Sequence, residues 1–146
     1  MLLLKRISGF TMTTKNIFDD DEANAYFRRN RKKSGEKQTD KPVSLLCDWL
    51  MPFKDDITEI LDIGCGNGHK LNQLSEVINA PGYGVEPSTE AVQYISNHFP
   101  LLTVRVGYAD NIPFSRDFSL VHLGFFLYLI ERKKYLRCVS EVDRLV

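Results

Sequence analysis

From position 57 onward, apolar residues fall in short dense runs separated by turn residues. Ile57, Ile60, Leu61 and Ile63 run into Gly64-Cys65-Gly66-Asn67-Gly68, the pattern of a strand buried on both faces that ends in a glycine turn. Leu71, Leu74, Val77 and Ile78 recur at helical spacing, and Ala80-Pro81-Gly82 stops that helix. A second strand is expected over 83–86, after which Ser88 is placed to cap a helix carrying Ala91, Val92, Ile95 and Phe99. Residues 102–106 and 118–123 read as a third and a fourth strand. A last helix over 132–145 would set Leu136, Val139, Val142 and Leu145 on one face. This order predicts an α/β fold in which right-handed crossovers join parallel strands: a doubly wound sheet in three layers, α/β/α, of about four strands.

Upstream the pattern is weaker. Residues 1–18 show no period and read as a flexible arm, with Met12 as a second candidate start. Asp19, Asp20, Asp21 and Glu22 precede the basic run Arg28, Arg29, Arg31, Lys32 and Lys33, the charge order a helix dipole favours. A helix over 21–33 is therefore expected, ended by Ser34-Gly35. Pro42 suits the first turn of a second helix with Leu45, Leu46, Trp49 and Leu50 on its apolar face, limited by Pro52. The chain thus divides into an arm (1–18), a helical lid (19–56) and a core (57–146).

Composition narrows the class. With 146 residues, of which 43% are hydrophobic and 11% aromatic, the chain has the size and content of one folded domain. Nineteen basic and nineteen acidic residues cancel, so no global field recruits nucleic acid or an anionic membrane. The basic run reads as a solvated helix end. Three cysteines, at 47, 65 and 138, fit neither a disulfide scaffold nor a zinc ribbon, and three dispersed histidines form no metal set. The opening Met-Leu-Leu-Leu-Lys-Arg is too short an apolar run for a signal peptide, so a cytoplasmic location is expected.

The glycine turn carries the chemistry. Ligands of parallel sheets bind outside the carboxyl ends of the strands, and bare glycine backbone lets them approach. A dinucleotide fingerprint would need a third glycine where His69 stands, and His69-Lys70-Leu71 lacks the final glycine and hydroxyl of a phosphate-binding Walker loop. What stands here is Asp62 two residues before a G-x-G-x-G. Glu86, closing the second strand, is placed to accept both hydroxyls of a ribose. Asp110, in Ala109-Asp110-Asn111-Ile112-Pro113-Phe114, is placed to accept from an exocyclic amine such as that of adenine. Acids for a ribose, an adenine and an amino group describe an adenosyl amino acid rather than a triphosphate.

These three segments, in this order and spacing, resemble class I S-adenosylmethionine-dependent methyltransferases, and more narrowly the small-molecule methyltransferases with an A-D-x-L-P-F loop. The resemblance spans 57–146. It implies a Rossmann-like core that binds S-adenosylmethionine as methyl donor, with a small-molecule acceptor and no membrane or nucleic-acid partner. It also implies that Asp62 and the turn Gly64, Cys65, Gly66 and Gly68 hold the methionine part. Glu86 and Pro87 would hold the ribose, Ala109, Asp110 and Asn111 the adenine, and Gly124 with Phe125 would approach the methionine part from beyond the fourth strand. Two departures stand out. Ser119 replaces the acid of an F-D-x-V segment, and the chain stops at Val146 before an expected fifth strand and terminal antiparallel pair. A fragment or a truncated relative is therefore expected, with an open sheet edge prone to self-association.

Methyl transfer from a sulfonium is an in-line displacement, so alignment and exclusion of water come before acid–base chemistry. His122 reads as a hydrogen-bonded strand residue and Tyr128 as a packing aromatic, and neither is assigned a catalytic role. Cys65 reads as a small packed residue, and Phe125, Phe126, Leu127, Leu129 and Ile130 as core or pocket wall. Two rival classes stand beside the methyltransferase: a nicotinamide- or nucleotide-dependent enzyme on a similar sheet, and a non-catalytic donor-binding remnant.

Overall fold

A computed structural model describes residues 20–31, 41–124 and 126–146. The expected arm over 1–18, the stretch 34–40 and Phe125 lie outside the described residues. Two helices, α1 (Asp20–Arg31) and α2 (Lys41–Leu50), are followed by a 3-10 turn over Met51–Asp56 that Pro52 opens. Then come β1 (Ile60–Ile63), α3 (His69–Ile78), β2 (Gly82–Glu86), α4 (Thr89–His98), β3 (Thr103–Val106), β4 (Leu120–Leu123) and α5 (Tyr135–Asp143). All strand pairs are parallel, in the order β3-β2-β1-β4. The chain steps outward from β1 to β3 and then returns to the far side of β1, so the direction of winding reverses between β1 and β4.

The central strand explains the layering. Every residue of β1 is buried, and alternation sends neighbours to opposite faces. Ile60 joins Val43, Cys47 and Leu50 of α2, Leu71, Leu74 and Ile78 of α3, and Ile95 of α4 in one core. Leu61 and Ile63 join Val85, Ile112, Phe114, Phe118 and Leu145 in the other. Asp62 shares the first face and is 2% exposed.

Two helix faces differ from the sequence reading. On α2, Val43, Cys47 and Leu50 turn inward while Leu45 and Trp49 face out. On α5, Leu136 is 85% and Val139 63% exposed, while Cys138 and Leu145 are buried. Polar anchors set the phase of α5. Glu141 accepts from the Ile112 backbone N–H at 2.8 Å, and Arg144 donates to the Phe114 carbonyl at 2.9 Å. These bonds fix the helix over the loop between β3 and β4, so apolar spacing alone does not choose its buried side. The basic run is paired where it is described: Arg28 with Glu90 and Arg29 with Glu22.

Ser119 takes up the work of the missing acid. Its Oγ accepts from the backbone N–H of Thr58 at 2.8 Å and of Glu59 at 3.0 Å, and donates to the Glu59 carbonyl at 2.9 Å. The start of β4 is thereby tied to the start of β1 without a charge.

Helix α1 is fastened to the sheet through the first turn of α4. Ser88 caps α4, its Oγ accepting from the Ala91 N–H at 3.1 Å. The same hydroxyl donates to Asn24 Oδ1 at 2.8 Å, and that oxygen also accepts from the Glu90 N–H at 3.2 Å. Ser88 is wholly buried, so Ser88→Ala removes a cap and strands the Asn24 contact. Chemical denaturation should show a loss of about 1–2 kcal/mol, the range for losing a side-chain N-cap.

Candidate active site

The glycine turn lies at the carboxyl end of β1, where Gly64 has φ 74°, Gly66 φ 59° and Gly68 φ 78°. These left-handed angles suit glycine and turn backbone N–H groups toward the open side. The Gly64 N–H donates back to the Val85 carbonyl at 2.8 Å, which holds the turn against β2. A Cβ built at Gly64 would stand 2.6 Å from Phe126 Cδ1, whereas one at Gly66 would meet nothing within 4 Å. Gly64 is therefore a packing glycine, and Gly66 an opening onto a cavity.

That cavity has a volume of about 300 Å³, at the lower end of the range for small-molecule sites. Its floor is Ile63, Gly64, Cys65, Gly66 and Asn67 from the turn, with Val85, Glu86 and Pro87 from β2. Gly107, Tyr108, Ala109 and Asp110, after β3, form one wall; Tyr26, Phe27 and Asn30 of α1 form a roof. Phe126, Leu129, Ile130, Glu131, Lys134 and Cys138 close the remaining side. Of the sequence-predicted residues, Gly64, Cys65, Gly66, Glu86, Pro87, Ala109 and Asp110 come together here. Four lie elsewhere. Gly68 caps α3 and packs on Ile95, Asn111 sits beyond the wall, and Gly124 backs onto the Gly64 carbonyl. Asp62 faces α2 and α3 and lines a second, smaller cavity.

Glu86 is the pivot of the floor. One carboxylate oxygen accepts from the Gly66 N–H at 2.9 Å and the other from the Ser88 N–H at 3.1 Å. Burial pushes its pKa up to about 7, against the pull of those two N–H donors, and Asp62 adds to the rise. On the opposite wall Asp110 pairs with Lys134 Nζ at 3.1 Å. Burial likewise holds the Cys65 thiol well above its ordinary range, reinforced by Asp62 and Glu86. It is a packed thiol and a poor nucleophile. At the mouth, the Tyr26 side chain hydrogen-bonds that of Tyr128, which raises the Tyr26 phenol, with burial adding.

Sequence reasoning did not single out the Lys134–Asp110 pair, Cys138, or the contribution of Tyr26, Phe27 and Asn30. The α1 residues carry a readable signal, since 23, 26, 27 and 30 form one helical stripe. Lys134 carries none, because its contact depends on where α5 docks. Among the described residues no three His, Cys, Asp or Glu side chains converge as metal ligands, and no helix is long and apolar enough to cross a membrane.

A family model described as "Methyltransferase domain" matches residues 60–146. No curated protein sequence matches. Among solved structures, the chain is similar to DesVI of Streptomyces venezuelae, at 20% identity and TM-score 0.65 over 88% of this chain and 53% of that one. It is also similar to CalS10, an amino pentose methyltransferase of Micromonospora echinaspora with SAM bound, at 18% identity and TM-score 0.64 over 90% and 54%. The magnesium protoporphyrin IX methyltransferase of Synechocystis PCC 6803 with SAH bound gives 18% and 0.73 over 87% and 66%. The likeness is one of fold, and the chain spans about half the length of the first two.

The buried carboxylate has a measurable signature. Glu86 titrates near 7 in the folded chain against an ordinary 4.5, so the native state holds its proton more tightly than the unfolded one. Its contribution to stability is full below pH 4.5 and is lost as the pH rises through 7. Glu86→Gln does not titrate. Thermal melts from pH 4.5 to 8 should therefore show the variant gaining on the wild type as the pH rises, whatever constant offset its altered hydrogen bonds introduce.

Proposed function

The chain belongs to the methyltransferase domain family, and on that premise we propose that it binds S-adenosylmethionine above the glycine turn and passes the methyl group to a small-molecule acceptor. The observation that carries this reading is the buried Glu86 carboxylate held 2.9 Å from the Gly66 N–H, beside open space at Gly66. A nucleoside laid across that space finds an acceptor pair for its ribose hydroxyls at the end of β2. Asp110 stands on the wall that an adenine would meet, with Lys134 as its present partner. The turn backbone supports the methionine part from beneath. The residues present fit the donor: a cradle that a Cβ at Gly66 would invade, two separated acids and an apolar rim.

The donor, when bound, supplies an electrophilic methyl on a sulfonium that leaves as a neutral thioether. The protein's share is alignment and exclusion of water. Tyr26, Phe27 and Asn30 cover the cavity, and we assign α1 the role of a lid fastened at Asn24 and Arg28. Phe126, Leu129 and Ile130 give the acceptor side an apolar wall. The structural neighbours include an amino pentose methyltransferase, which places small polar molecules first among acceptors to be tried.

Calorimetry with S-adenosylhomocysteine tests the reading directly. The wild type should bind, and Glu86→Ala should weaken binding by about 1.5–3 kcal/mol, the range for a hydrogen bond to a charged group. Affinity should also rise as the pH passes upward through 7, since only the ionised carboxylate accepts from both hydroxyls. Tighter binding of NAD than of S-adenosylhomocysteine, or no effect of the substitution, would overturn the assignment. Gly66→Val provides a second check: its side chain fills the cradle and strains a φ of 59°, so a variant that folds and binds normally places the donor elsewhere.

A further inference from the structure

Asp62 and His122 form a pair that the donor site does not use. Alternation along β1 sends Asp62 into the apolar layer under α2 and α3, where it is 2% exposed. A carboxylate in such a place must be hydrogen-bonded. Its cross-strand neighbour in the β1–β4 register is His122, whose Nδ1 lies 2.7 Å from Asp62 Oδ1. The carboxylate only accepts, so Nδ1 carries the proton and the neutral ring keeps its lone pair on Nε2. The His122 side chain is 25% exposed and borders a second cavity of about 160 Å³. The pair bridges the two strands between which the winding reverses, one residue short of their carboxyl ends, which is where ligands of such sheets gather.

The groups that face the imidazole are few. Asp62 comes from β1 and Lys70 from α3, while α2 offers the apolar Val43 and Leu46. Lys70 lines both cavities, so the two share a wall beside the glycine turn.

We propose that His122 is the proton acceptor of the transfer and Asp62 its positioning residue, which makes the acceptor an amine or a hydroxyl reaching the methyl group from the second cavity. This rests on the methyl-transfer reading above. The acceptor's lone pair forms the bond to the methyl carbon as the carbon–sulfur bond breaks and its electron pair passes to sulfur. The proton displaced from nitrogen or oxygen goes to Nε2, and Asp62 balances the imidazolium that results. Solvent then takes the proton through the exposed edge of the ring.

Two measurements on the full chain decide it. The first needs no acceptor: nitrogen NMR of the histidine rings, with diethyl pyrocarbonate acylation mapped by mass spectrometry. The neutral His122 ring should hold its proton on Nδ1 and acylate at Nε2, and Asp62→Asn should abolish the tautomer preference and slow acylation. A ring protonated on Nε2, or one indifferent to Asp62→Asn, overturns the pair. The second is methyl transfer from labelled donor to a panel of primary amines and alcohols. His122→Gln should lower kcat by about 10²–10⁴-fold, the usual span for a general base. It should also erase the lower limb of the pH profile and leave S-adenosylhomocysteine binding unchanged, while Asp62→Asn moves that limb. Wild-type rates and pH profile in His122→Gln overturn the proposal. If the wild type binds no S-adenosylhomocysteine, the donor reading fails instead, and the ring measurements still judge the pair.

Discussion

The Glu86 carboxylate is the constraint around which the site is assembled. It ends β2, and its two oxygens hold backbone N–H groups from two different segments: Gly66 in the turn after β1, and Ser88 at the head of α4. Ser88 in turn grips Asn24, so a single acid links the turn, a helix start and the N-terminal helix. The arrangement costs desolvation of a carboxylate, visible in a pKa drawn up to about 7. Proteins retain such groups where a ligand needs a strong acceptor already aimed. The left-handed backbone at Gly66 belongs to the same constraint, since it presents the N–H to Glu86 while leaving the space above it clear.

Much of this is legible in the sequence because it is local. A buried strand running into alternating glycines, an acid closing the next strand and a serine ahead of an amphipathic helix each depend on spacing within about twenty residues. The strands and helices of the sheet accordingly lie within a few residues of their expected bounds, and the four-stranded parallel α/β architecture is the one the pattern predicts.

The remainder is set by contacts between distant segments. Apolar residues surround α2 and α5 on several sides, so their buried faces follow docking: Glu141 and Arg144 on the Ile112–Phe114 backbone choose the side of α5 that faces inward. The Lys134–Asp110 and His122–Asp62 pairs join residues 24 and 60 positions apart. Strand order places His122 opposite Asp62, and no pattern around either residue announces the other. Ser119 is a milder case. It reads as a defect in a motif until three hydrogen bonds to Thr58 and Glu59 show a neutral hydroxyl closing the sheet's lower edge.

Gly64 and Phe126 have a further bearing on how such a chain changes over time. The ring of Phe126 occupies the place where a side chain at 64 would begin, so each residue sets the size allowed at the other. The glycine turn and the loop after β4, 62 positions apart, are thus one inherited unit. In sequences descended from a common ancestor, a bulkier residue at 126 is compatible only with glycine at 64. A recombinant that imports a foreign loop after β4 takes on the turn's geometric demand along with it.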